Sequence, residues 1–262
     1  SINQFSKMKS FISKSIIAGL MCVALGSCAS GQFDRTKALQ AGTTLLQGMT
    51  LSDAQVASLC SQYVAQSDAE NQVAPSNNAY AKRLANLTKN ITQVGNFPAN
   101  FKVYLTKDVN AFACGDGSVR VYSGLMDLMN DAELMAVVGH EIGHVVNSDS
   151  RKAMQDSYRR AAATTALGAI SPTAGALAEG ALGQIANAYA SAQYSQKQEY
   201  AADDYGYNFT TKLGYPKESM ANSLKKLLSL EGSNGISTSA VQSLFSDHPT
   251  TQKRLERLAA KK

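Results

Sequence analysis

The chain has 262 residues, of which 44% are hydrophobic and only 17% charged, enough apolar material to bury a real core in one domain with an appended helical segment. The net charge is +5, but Lys and Arg are scattered and no basic stripe alternates with aromatics, so nucleic acid is not expected as a partner. Abundant Ala and small residues favour helix.

The first 28 residues read as a targeting segment. Lys7, Lys9 and Lys14 form a positive region, and Ile16 to Leu25 an apolar stretch too short to span a bilayer comfortably. Met8-Lys9 marks the natural start of this pattern. The stretch closes on Leu25-Gly26-Ser27-Cys28, which resembles the bacterial lipobox, with Cys28 as the lipidated residue. The alternative is an ordinary signal peptide cut nearby. After residue 28 no segment is long and apolar enough to cross a membrane, so membrane attachment would run through the lipid alone. Removing Cys22 and assigning Cys28 to lipid leaves Cys60 and Cys114. These are a candidate disulfide in an oxidising compartment, or else two buried thiols.

Residues 29–74 read as an N-terminal helical segment, and 75–262 as the main domain. A helix is expected over 79–94, ending at Gly95-Asn96-Phe97-Pro98. Phe101, Val103 and Leu105 alternate with polar neighbours as a strand. Val109 to Ala113 is a second extended segment, Cys114-Gly115-Asp116-Gly117 a turn, and Val119 and Val121 mark a third strand ending at Gly124. Asp131 is the expected N-cap of a helix reaching Val146. Residues 150–198 are Ala-rich and read as two helices around a flexible middle, with 160–190 a candidate part of a lid. Further helices are expected at 199–208, 217–230 and beyond Thr251. The fold class is α+β, mostly helical, with a small sheet beside the 131–146 helix.

That helix carries the chemistry. In His140-Glu141-Ile142-Gly143-His144 the two imidazoles are one turn apart on one face and can grip a single metal ion. Glu141 is rotated off that face and can act as general base on a water. From Leu134 to Val146 every other residue is apolar or Gly, so the helix is buried, and buried charge there demands a compensating cation. A catalytic zinc needs a third protein ligand. Glu199, in Glu199-Tyr200-Ala201-Ala202-Asp203, is a candidate, with Asp203 one turn on to orient a ligand histidine. The competing reading of this segment is a solvated acidic face.

These segments, with Asp247-His248-Pro249-Thr250 followed by Arg254 and Leu255, resemble the HtpX/Ste-type zinc peptidases over roughly residues 75–260. The lack of membrane-spanning helices is similar to their exported BepA/LoiP-like branch. The resemblance implies a zincin-like (gluzincin) fold with one Zn2+ held by His140, His144 and Glu199. It also implies Glu141 as base, Asp203 behind a ligand, and His248 near the metal. His248 either stabilises the oxyanion or fills the fourth zinc position and holds the enzyme latent. It is otherwise a residue of a surface turn. Asn110, Ala111, Phe112 and Ala113 would present a strand edge to an extended substrate. Two departures stand out: Cys114-Gly115-Asp116-Gly117 replaces a Pro-Gly turn, so Cys114 is a further candidate zinc ligand, and no helical repeat array follows the domain. The implied activity is zinc-dependent cleavage of unfolded or misassembled envelope proteins on the periplasmic side, anchored by lipid to the outer membrane. A chaperone-like assembly factor with little proteolysis is the alternative.

Overall fold

The buried helix organises the rest. In the computed structural model, residues 35–168, 194–231, 248 and 252–261 are described. The signal segment, the lipobox with Cys28, and residues 169–193, which take in most of the proposed 160–190 lid, lie outside them. The described elements are α1 (Arg35–Met49), α2 (Asp53–Glu70), α3 (Ala79–Thr88), β1 (Gln93–Val94), β2 (Phe97–Pro98), β3 (Asn100–Tyr104), β4 (Ala111–Ala113), β5 (Ser118–Tyr122), α4 (Ser123–Leu128), α5 (Asp131–Val146), α6 (Asp149–Gly168), α7 (Gln196–Lys212), α8 (Ser219–Glu231) and α9 (Gln252–Ala259). Among the described residues the protein is mostly helical with two small sheets, and no helix is long and apolar enough to cross a membrane.

The main sheet has the order β3-β5-β4, with β5 parallel to β3 and antiparallel to β4. Its two faces differ because side chains alternate along each strand. On one face Val103, Val121 and Ala111 line up beside Val119 and Ala113, and they join Leu134, Met135, Val138 and Ile142 of α5 in the main core. On the other face stand Lys102, Arg120 and Phe112, with Tyr104 beside Tyr122. Helix α2 covers this polar face. Asp68 accepts from Arg120 Nε (2.7 Å) and Nη2 (3.1 Å), from Lys102 Nζ (2.7 Å) and from the Tyr104 hydroxyl (2.7 Å). Burial by itself would raise the Asp68 carboxyl pKa, but these donors more than offset it and hold the group well below the usual range. Helix α2 therefore packs as a layer of the same fold rather than as a detached segment.

Helix α5 starts in a capping box one residue before the expected cap: Asn130 Oδ1 accepts from Glu133 N, and Glu133 Oε2 accepts from Asn130 N. It ends at Val146 as the sequence pattern requires. Helix α7 crosses it closely because small residues meet. A Cβ on Gly206 would lie 3.0 Å from Ala136 O and His140 N, and one on Gly143 only 3.1 Å from Ala202 Cα. This close approach brings a carboxylate of α7 to the histidines of α5.

Three local expectations are corrected. The helix over 79–94 stops at Thr88, because residues 93–98 form a β-hairpin turned at Gly95, which has φ of 60°. The third strand gives way at Ser123 to the short helix α4. Cys60 and Cys114 are both buried and are not joined in a disulfide. They lie in an apolar cluster with Val56, Val64 and Met154, where Cys60 Sγ accepts from Gly115 N at 3.1 Å.

Candidate metal centre

His140 and His144 meet tip to tip, with their Nε2 atoms 3.1 Å apart. Each ring is held from behind by a carboxylate. His140 Nδ1 is 2.9 Å from Asp203 Oδ1, and His144 Nδ1 is 3.0 Å from Asp149 Oδ2. A carboxylate only accepts, so in the neutral rings each Nδ1 carries the proton and each Nε2 turns a lone pair inward. Glu199 brings more negative charge to the same point, with Oε1 3.3 Å from His144 Nε2 and Oε2 3.5 Å from His140 Nε2. His248 closes the group, its Nδ1 3.1 Å from Glu199 Oε1 and 3.3 Å from His140 Nε2.

Lone pairs converging on one another in a buried cavity repel unless a cation lies between them. The ligand atoms of His140, His144, Glu199 and His248 all fall within 4.8 Å of one another, and all four residues are buried. The 3.1 Å between the two imidazole nitrogens is near the roughly 3.3 Å that separates two nitrogens on one tetrahedral zinc. The nitrogen and carboxylate donors suit a divalent metal of that kind. Burial disfavours charge on His144, yet Asp149 and Glu199 raise its pKa to about 9, while burial keeps His140 below its ordinary value. Burial also opposes ionisation of Glu199, but the surrounding histidines hold its pKa far below the usual range. A metal entering the site would displace the proton on His144.

Arg254 completes the cluster. Its Nη1 lies 2.5 Å from Glu199 Oε2, its Nη2 2.6 Å from Asp203 Oδ1, and its Nε donates to Asp203 Oδ2 at 2.9 Å. One buried guanidinium from α9 thus spans two buried carboxylates of α7. Glu141 is 4% exposed and sits 3.7 Å from His248 Nε2. Tyr194 stacks on His144, with ring centres 3.9 Å apart and planes at 16°. Burial first, and then the negative charge of Glu141, push its phenol pKa well up.

The residues singled out from sequence are thus distributed unevenly. His140, His144, Glu199, His248, Glu141 and Asp203 come together. Cys114 does not: it packs in the apolar cluster behind β4 and is outside the donor group among the described residues. Asn110 directly precedes β4 (Ala111–Ala113), an outer strand of its sheet, with Ala111 and Ala113 turned into the core. Sequence reasoning missed Asp149 and Tyr194 and assigned no role to Arg254. The one available signal for Asp149 was its position at a helix start, five residues past His144.

Residues 76–262 match the profile of Peptidase family M48. The chain is 39% identical to "Metalloprotease YcaL" of Escherichia coli strain K12 over 226 residues, covering 86% of this chain and 87% of that protein. It is 36% identical to "Metalloprotease LoiP" of the same strain over 244 residues, covering 93% and 94%. A shorter match, 34% over 140 residues, links half of this chain to 28% of the "Beta-barrel assembly-enhancing protease" of that strain. With its profile matched across most of the chain and its two histidines, glutamate and buried donor cluster in place, this protein belongs to peptidase family M48.

Proposed function

We propose that this chain is a zinc-dependent endopeptidase of the gluzincin type that cleaves unfolded or misassembled proteins of the bacterial envelope. The observation that carries this reading is the pair of imidazole nitrogens 3.1 Å apart, both backed by carboxylates and both facing Glu199. His140, His144 and Glu199 would hold the ion. Zinc bound there supplies Lewis acidity, polarising a carbonyl oxygen and lowering the pKa of a water.

The chain's own residues do the rest. Glu141 takes the proton of the attacking water and hands it to the leaving amine. It is suited to this because its backbone lies on the ligand helix, one residue past His140, while its carboxylate faces the cluster. Asp203, clamped by Arg254, keeps the His140 lone pair aimed inward. His248 stands in the donor cluster, which favours a resting role in which its imidazole would hold the ion beside His140, His144 and Glu199. Once displaced, the same imidazole is near enough to Glu141 to donate to an oxyanion. The substrate backbone adds along β4 and the Asn110 that precedes it, since β4 is an outer strand of its sheet.

The location rests on similarity: the related LoiP and YcaL proteins are named metalloproteases, and a third relative is named for β-barrel assembly. Together with the lipobox-like segment ending at Cys28, this supports a lipid-anchored protein on the periplasmic face of the outer membrane. The test is Glu141→Gln. Cleavage of an unstructured protein such as casein is expected to fall by at least roughly a thousandfold, since base and proton shuttle are lost together, while bound zinc stays stoichiometric. A variant that still cleaves overturns the assignment. A wild-type protein that binds zinc, protects unfolded clients and never cleaves them would favour an assembly factor instead.

A further inference from the structure

We propose that Asp149 is a positioning residue for the metal centre, setting His144 and Glu199 together. This rests on the zinc reading above. Asp149 is the first residue of α6, and an acidic residue there is ordinarily explained by the helix dipole. Its contacts go further than that. Oδ2 meets His144 Nδ1 at 3.0 Å, and Oδ1 accepts from Lys152 Nζ at 2.9 Å and from Gln198 Nε2 at 3.0 Å. The side chain is only 1% exposed, so its charge is directed into the protein rather than into water.

The backbone is bent to put it there. Ser148, between α5 and α6, has φ of 59°, the only positive φ at a non-glycine residue among those described. Such a conformation costs of order 1 kcal/mol for a residue with a Cβ and persists where surrounding structure imposes it. It returns the chain sharply, so that a carboxylate five residues past His144 reaches back to that imidazole.

Gln198 supplies the second link. Its Oε1 accepts from Ser195 N at 2.9 Å, closing the capping box that starts α7, while its Nε2 donates to Asp149. Glu199 is the next residue. The carboxylate that orients His144 is therefore tied to the turn that launches the third ligand. In the other half of the centre, Asp203 acts on His140 alone and is neutralised by Arg254.

The experiment measures zinc affinity by competition with a chromophoric chelator, the cobalt(II) ligand-field spectrum, and melting of the metal-free protein. Asp149→Ala is expected to weaken zinc binding by about 10–100-fold and to alter the cobalt spectrum, with metal-free melting also lowered because three donors lose a buried acceptor. Asp149→Asn retains an acceptor oxygen and is expected to recover part of the affinity. The same nearly isosteric variant carries the test if Asp149→Ala does not fold. Zinc affinity and cobalt spectrum unchanged in the folded variant, with only metal-free melting lowered, would show a structural helix-start residue and overturn the proposal. Failure of the peptidase reading looks different: the wild type binds zinc, loses it on His140→Ala, and never cleaves, while the Asp149 series still reports on positioning. A wild type whose zinc affinity is insensitive to His140→Ala overturns both.

Discussion

The two histidines of the centre stand on carboxylates built in opposite ways. Asp203, behind His140, is fully buried and sealed by Arg254, which also reaches Glu199. Asp149, behind His144, is equally inaccessible, but its partners are Gln198 and Lys152, whose side chain is 55% exposed. These partners line an open polar groove of about 640 Å³ between α6 and α7, together with Arg159 and Lys197. One support is balanced by charge inside the core, whereas the other is balanced by dipoles and by a cation at the solvent edge. The first should matter for folding as much as for chemistry. The second should matter chiefly for the metal.

The largest effect is expected from Arg254→Ala. It leaves Glu199 and Asp203 buried with like charges, at a cost of about 3–5 kcal/mol, or roughly 10 °C in the melting temperature of the metal-free protein. Zinc is expected to restore part of the loss by neutralising Glu199, which paired melts with and without metal will read. An equal loss in both conditions would mean that the guanidinium is needed for packing rather than charge.

Asp68→Asn asks the same question of a sealed pair remote from the centre. Asp68 is bound by Arg120 and Lys102, and its folded pKa is depressed, so its stabilisation is present above the unfolded value of about 3.9 and is lost as pH falls toward the folded one. The variant is expected to melt about 5–10 °C below the wild type at neutral pH, with the gap narrowing below about pH 4. A gap independent of pH would remove charge from the explanation. Zinc affinity should stay within about threefold, since Asp68 touches only the sheet face turned away from α5.

The smallest effect is expected at Lys152→Ala. Exposed ion pairs contribute little, so melting should move by no more than about 2 °C and zinc affinity by about threefold or less. A large loss of affinity would place the lysine, rather than Gln198, as the partner that matters to Asp149.

Much of the centre was legible in advance because helical periodicity is a local property. His140, Glu141 and His144 needed only the 3.6-residue repeat, and the apolar surround from Leu134 to Val146 already implied burial. Glu199 and Asp203 were readable as one face of another helix, but their partners were not. Arg254 is one basic residue among several on a short helix, and nothing in its spacing distinguishes it from Arg257, which instead pairs with Asp204. The hairpin at 93–98 was hidden because two-residue strands carry no periodicity. For the cysteine pair, even number and export left a disulfide and two buried thiols equally open, and the structure has the pair unbridged in an apolar cluster.

The sequence alone determined that an apolar helix would carry two imidazoles and a carboxylate on adjacent faces, because these residues lie within one turn and their geometry follows from the backbone. It also determined the mostly helical class and the strands beside that helix. Tertiary structure decided which distant charges would meet. The close crossing of α5 and α7 at Gly143 and Gly206 brings Glu199 to the histidines, the bend at Ser148 turns Asp149 back onto His144, and α9 delivers Arg254. Those encounters join residues up to 63 positions apart at His140 and Asp203 and 108 apart at His140 and His248. Contacts of that separation depend on how helices pack, and no local pattern encodes them.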